Sequence, residues 1–192
     1  VFDIRIKLNI QEIESGKIYE NDEFILFATK LKHGITTYGY SFIEKDRRRI
    51  DMKRVEKFGL KQGPILGSLQ RGEAVLFNNR KILPEDVTYV VNGKKITYIT
   101  DTVLCNQCYE IAENSDVLIC EATYDSRLEK KSSAHKHMTA MQSAQIAKKS
   151  NSKKLILTHI SARYKNKDEL LSDAKKIFDE VILAYDFLEV KI

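Results

Sequence analysis

The sequence predicts an α/β layered fold with right-handed crossovers, and three observations point there. After residue 86, short apolar runs rich in β-branched residues alternate with segments of helical periodicity. Two of those runs, VLICEAT at residues 117–123 and KKLILTHIS at 153–161, are of the continuous apolar kind that parallel sheets bury on both faces. A hydrophobic content of 43% is ample for a buried core, and 31% charged residues provide a solvated surface around it.

The elements follow in order. VFDIRIKLNI (1–10), EFILFATKL (23–31) and TTYGYSFI (36–43) alternate as strands do, with Glu20-Asn21-Asp22 as a hairpin turn. DMKRVEKFGL (51–60) reads as a short helix closed by Gly59. KQGPILGSLQRGEAVLF (61–77) carries Gly63-Pro64, Gly67 and Gly72 and reads as loop, because a helix tolerates that density poorly. VTYVVNGKKITYITD (87–101) is strand-forming around an Asn92-Gly93 turn. NQCYEIAENSD (106–116) fits a short helix capped by Asn106. TAMQSAQIAKKSN (139–151) is helical, with Thr139 and Gln142 at capping-box spacing. KDELLSDAKKIFD (167–179) is a last helix, and EVILAYDFLEVKI (180–192) closes with strands. No repeat, low-complexity segment or linker interrupts the chain, so residues 1–192 read as one unit.

Composition narrows the function. No apolar run approaches the roughly 20 residues that a membrane span needs, and no signal peptide is visible. Three cysteines are an odd number, which favours a reducing, cytoplasmic setting over a disulfide framework. Cys105 and Cys108 spell C-x-x-C, but neither a thioredoxin-like context nor the second pair of a zinc ribbon accompanies them, so they read as ordinary semi-buried cysteines. The formal net charge of +5 permits an anionic partner. Arg47, Arg48 and Arg49 could touch phosphates, but a solvated turn is the favoured reading.

The polar residues that matter sit at strand ends. Asp101 follows KITYIT, Glu121 follows VLIC, and His159 follows KLILT. In open α/β sheets the crevice beyond such ends binds ligands. Each residue alone has a bland explanation, Asp101 as a cap and His159 as a satisfied imidazole. Their recurrence at successive strand–helix units weakens those explanations, because converging ionisable groups must be hydrogen-bonded, charge-paired or metal-bound. His33 also ends a strand. His137 opens a helix, and His135 stands two residues before it, so periodicity alone does not choose between those two. Imidazoles with a carboxylate suit zinc, and a bridging aspartate suits the metal pairs that hydrolyse phosphodiesters.

Taken in this order, LKHGITTYGY, QGPILGSLQRGE, ITDT, CEATY, HMTA, LILTHISARY and AYDFLEVKI resemble the ribonuclease Z family. These are tRNA 3′ endonucleases of the metallo-β-lactamase superfamily. The resemblance covers essentially the whole chain, as the family's latter part. It implies a metallo-β-lactamase-like αββα sandwich, here its later portion with a mixed sheet and covering helices. It further implies zinc, with manganese in substitution, a precursor tRNA substrate, a homodimer and a cytoplasmic location without membrane association. Carried over residue by residue, it makes His33 a ligand of one zinc, Asp101 the bridge between two, and His159 a ligand of the second. His137 becomes the proton donor to the leaving 3′ oxygen, oriented by Glu121, while His135 matches nothing and reads as a loop residue.

Three departures accompany the resemblance. Cys120 stands where the family has histidine before E-A-T, and Met138 stands where serine follows the catalytic histidine. The family's H-x-H-x-D-H signature is not in this sequence. It is expected upstream, so the chain is expected to be a C-terminal portion that lacks its N-terminal partner and is inactive alone. The competing expectations are another superfamily hydrolase, a receiver-type module phosphorylated on Asp101, and a catalytically silent scaffolding or dimerisation half.

Overall fold

The computed structural model describes residues 9–192, and the strand expected at residues 1–10 falls largely outside the described residues. The chain divides into two compact units, Val1–Ile43 with Lys94–Ile192, and Glu44–Gly93.

The larger unit begins with strands β1 (Gly16–Glu20), β2 (Phe24–Lys30) and β3 (Tyr38–Glu44). The expected turn between the first two forms because the Asn21 side-chain oxygen accepts from the amides of Glu23 and Phe24, at 2.9 and 2.8 Å.

The smaller unit holds β4 (Arg47–Ile50), α1 (Met52–Lys57), α2 (Pro64–Gln70), β5 (Val75–Phe77), β6 (Arg80–Ile82), α3 (Pro84–Val87) and β7 (Thr88–Val91). Its core is Val55, Leu60, Leu66, Leu69, Ile82 and Val87. Two expectations need correction here. Arg47, Arg48 and Arg49 lie in a strand paired antiparallel with β7 and not in a turn. The stretch read as loop contains α2, because Pro64 at the first helical position presets φ, and Leu66 and Leu69 bury three residues apart. That burial outweighs the roughly 1 kcal/mol that Gly67 costs in a helix.

The chain then returns to the larger unit with β8 (Lys95–Ile99), α4 (Asn106–Ala112), β9 (Val117–Glu121), α5 (Glu129–Ala134), α6 (Ala140–Lys149), β10 (Leu155–Thr158), α7 (Asp168–Lys175) and β11 (Val181–Leu183). The sheet order is β1-β2-β3-β8-β9-β10-β11. Strands β8 to β11 run parallel, while β1 with β2 and β3 with β8 run antiparallel, which makes the sheet mixed. This is the α/β arrangement of mixed sheet and covering helices that the sequence predicts. Ile99, Leu118, Cys120, Leu155 and Leu157 form a core with Ala144, Ala147 and Leu170 of the helices. Ala140, Ala144 and Ala147 bury along one face of α6, and their small side chains let its axis approach the sheet closely.

Three local expectations shift. Asn106 is the first residue of α4, and Cys105, with extended backbone, is its cap. His135, expected in a loop, is the C-terminal cap of α5, which follows a short 3₁₀ turn (Ser126–Leu128). Beyond Leu183 the chain is irregular where strands were expected. The capping box of α6 forms as its spacing predicts: Thr139 Oγ1 accepts from the Gln142 amide at 3.2 Å, and Gln142 Oε1 accepts from the Thr139 amide at 2.9 Å. Thr139→Ala is therefore expected to lower stability by about 1 kcal/mol in urea denaturation. Among the described residues no helix is long and apolar enough to cross a membrane.

Candidate active site

The parallel register brings the strand ends together. Ile99 pairs with Cys120, and Glu121 pairs with Thr158, so Asp101, Glu121 and His159 leave the sheet at one edge. Asp101 and His159 each take a left-handed backbone, both with φ of 52°. That conformation costs a non-glycine residue on the order of 1–2 kcal/mol, and Asp and His are among the types that tolerate it. Two strained residues beyond the ends of β8 and β10, the strands on either side of β9, are of the kind that clusters at functional sites.

Asp101 Oδ1 lies 3.3 Å from His159 Nε2 and 4.0 Å from His137 Nδ1. One ligand atom from each of these three residues lies within 4.8 Å of the other two. The ring of His137 sits between the other imidazoles, with centroids 5.1 Å from His159 and 5.3 Å from His33. His33 is therefore adjacent to the group but outside the Asp101–His137–His159 trio, and its Nδ1 donates to the Lys136 carbonyl at 2.9 Å. His135 ends α5, exposed, with its ring stacked on Tyr124 at 6.3 Å, away from the trio. His137 does not open a helix but stands two residues before the Thr139 cap of α6.

A buried carboxylate organises these groups. Glu121 is fully inaccessible to solvent. Its Oε1 accepts from the Thr102 amide at 2.8 Å, and its Oε2 accepts from the Met138 amide at 3.0 Å and the Thr123 hydroxyl at 2.8 Å. Oε2 also lies 3.1 Å from His137 Nδ1. A carboxylate surrounded by donors is an acceptor, so His137 carries its proton on Nδ1 and turns Nε2 outward. His159 is fixed through Thr123. The Thr123 hydroxyl spends its hydrogen on Glu121, so its oxygen accepts from His159 Nδ1 at 3.0 Å. The lone pair of His159 then lies on Nε2, facing a carboxylate oxygen of Asp101. Two acceptors at that separation repel unless a proton or a cation lies between them. Imidazole nitrogens with a carboxylate oxygen are the donors that zinc takes, and hydrogen bonds that fix the ligand tautomers are what such sites need behind them. The residues present fit a metal.

The departures at Cys120 and Met138 have structural reasons. Cys120 is wholly buried in the core and burial pushes its thiol up to about 12, so it is inert. Met138 contributes its backbone amide to Glu121 while its side chain packs in the same core. Sequence reading missed Thr102 and Thr123 as part of the site. The only signal was the place of Thr123 two residues after Glu121, which keeps it on the same face of an extended chain.

The Beta-lactamase superfamily domain matches residues 68–160. A protein named Ribonuclease Z from Archaeoglobus fulgidus is 36% identical over 195 residues, covering 100% of this chain and 62% of that protein. One of the same name from Listeria monocytogenes is 37% identical over 186 residues, covering 94% and 60%. The crystal structure of human tRNase Z, short form, matches with a TM-score of 0.56 at 25% identity, over 92% of this chain and 46% of that one. A metallo-beta-lactamase fold protein from Bacillus subtilis shares the fold, with a TM-score of 0.56 at 18% identity over 86% of this chain and 48% of that one. The chain spans about 60% of the length of the curated relatives it matches. The chain is thus similar to proteins named Ribonuclease Z across nearly all of its own length, and it carries the beta-lactamase superfamily fold.

Proposed function

We propose that this chain is the later part of a zinc-dependent endoribonuclease that removes 3′ trailers from precursor tRNA by phosphodiester hydrolysis at a two-metal centre. The observation that carries the reading is the convergence of Asp101, His137 and His159 on the buried Glu121, in a chain similar to ribonucleases Z. Asp101 would bridge the metals, His159 would hold one, and His33 the other, with manganese able to substitute for zinc. Such ions, when bound, supply a water of lowered pKa and positive charge for the phosphoryl oxygens.

The chain's own residues manage the proton. His137 keeps its Nδ1 hydrogen on Glu121 and presents Nε2 outward, where a second proton is transferred to the leaving 3′ oxygen. Glu121, shielded from water, stabilises the imidazolium and fixes its ring.

Two further observations support the reading. The Glu44–Gly93 unit has eleven lysines and arginines against seven acidic residues, an excess suited to an RNA backbone. On the sheet face opposite the helices, Tyr40, Tyr98 and Ile119 pair across β3, β8 and β9, with Tyr40 and Tyr98 40% and 41% exposed. An apolar row of that kind suits cover by a further layer, as the later portion of an αββα sandwich requires. The reading also brings with it a homodimer in the cytoplasm and an isolated chain too poor in ligands for turnover.

Asp101→Ala in the full-length protein is expected to lose bound zinc, by elemental analysis, together with cleavage of a 3′-extended tRNA. A full zinc complement in that variant removes Asp101 from the ligands. Preference for a cyclic nucleotide over the extended tRNA would instead assign the site to another hydrolase of the superfamily.

A further inference from the structure

We propose that Cys105 and Cys108 form a peroxide-oxidisable dithiol that closes to an intramolecular disulfide. The two cysteines flank the first turn of α4, and residues three apart on a helical turn share a face. Their sulfurs lie 3.5 Å apart, and the Cys108 amide donates to the Cys105 carbonyl at 3.0 Å, which fixes the turn between them. A disulfide bond is about 2.05 Å long, so closure asks for a shift of about 1.5 Å, within reach of side-chain rotation.

The two thiols are unequal. A hydrogen bond from the Cys108 thiol holds Cys105 down to about 6 against the opposing effect of burial, and Thr102 and Lys32 lower it further. Cys108 is pushed well above the ordinary thiol range, first by its bond to Cys105 and then by burial. Cys105 therefore carries the thiolate at neutral pH and Cys108 keeps its proton. Cys105 is also the more open of the two, 7% exposed against 0%. Cys105 stands three residues after Thr102, whose amide holds Glu121. An oxidative event is thus written into the chain a few residues from the site.

The chemistry balances in two steps. The Cys105 thiolate attacks one peroxide oxygen; the S–O bond forms as the O–O bond breaks, and the departing hydroxide takes a proton to leave as water. The Cys108 sulfur then attacks the Cys105 sulfenic sulfur; the S–S bond forms, the S–O bond breaks, and the second hydroxide leaves as water with the Cys108 proton. Two thiols are oxidised by two electrons and one peroxide is reduced. A thiol reductant reverses the bond.

The test is intact mass and peptide mapping of the folded protein after brief exposure to equimolar hydrogen peroxide, with alkylation of the remaining thiols. The expected result is loss of the mass of two hydrogens, a Cys105–Cys108 cross-linked peptide, one alkylated cysteine at Cys120, and full reversal by dithiothreitol. Cys120→Ala should keep the cross-link and Cys105→Ser should lose it, while near-ultraviolet circular dichroism confirms that both variants are folded. Accumulation of sulfinic acid without a cross-link, a bond to Cys120, or three alkylatable thiols after exposure would each overturn the proposal.

Discussion

Replacing His137 by alanine in the full-length protein is expected to lower kcat for a 3′-extended tRNA by roughly 10²- to 10⁴-fold, the range that a positioned general acid contributes. The zinc content is expected to stay near that of the unaltered protein. Both expectations come from one geometry. Nδ1 of His137 is 3.1 Å from Glu121 Oε2 but 4.0 Å from Asp101 Oδ1, so the ring is held by the buried carboxylate and not by Asp101. Its Nε2 is left to exchange a proton with substrate. Loss of zinc in step with loss of activity would make His137 a ligand, a role its place in the trio allows, and would displace the proton-donor assignment.

Glu121→Gln should be the most damaging isosteric change at the site. The oxygen that faces Met138, Thr123 and His137 takes three donors, and the other faces the Thr102 amide. An amide side chain has one acceptor oxygen and one donor nitrogen. Turned either way, its NH₂ meets at least one buried donor, which costs about 1–3 kcal/mol. A lowered urea midpoint with unchanged slope is the expected reading. Turnover should fall as well, because the imidazolium of His137 loses its counter-charge. Unaltered stability would mean that the donors around Glu121 do not depend on its two acceptor oxygens.

Much of the site was legible because strand ends are legible. Apolar runs mark where parallel strands stop, and polar residues just beyond them, Asp101 after β8 and His159 after β10, converge once both strands pair in register with β9 between them. Glu121 follows from the same logic. The choice between His135 and His137 was not available from periodicity, since it depends on α5, which ends at Ala134, and on a hydrogen bond to a residue sixteen positions upstream. The tautomers rest on the Thr123 hydroxyl, whose partners no spacing reveals. Elsewhere the misreadings share one cause. The glycines around α2 are a local signal, and the burial of Leu66 and Leu69 that overrides it is tertiary. The end of the chain carries strand-forming residues, but β10, the neighbour of β11, offers only Leu155–Thr158 to pair with, so strand structure stops at Leu183.

The measurement that bears most directly on the site is the position of the cut. A 3′-extended precursor tRNA would be incubated with this 192-residue chain and zinc, alone and together with the upstream segment of a ribonuclease Z, and the products mapped at single-nucleotide resolution. The expected result is no cleavage by the chain alone and a cut immediately after the discriminator nucleotide once the segment is supplied. Cleavage by the chain alone, or intact tRNA when the two parts are shown to associate, would contradict it.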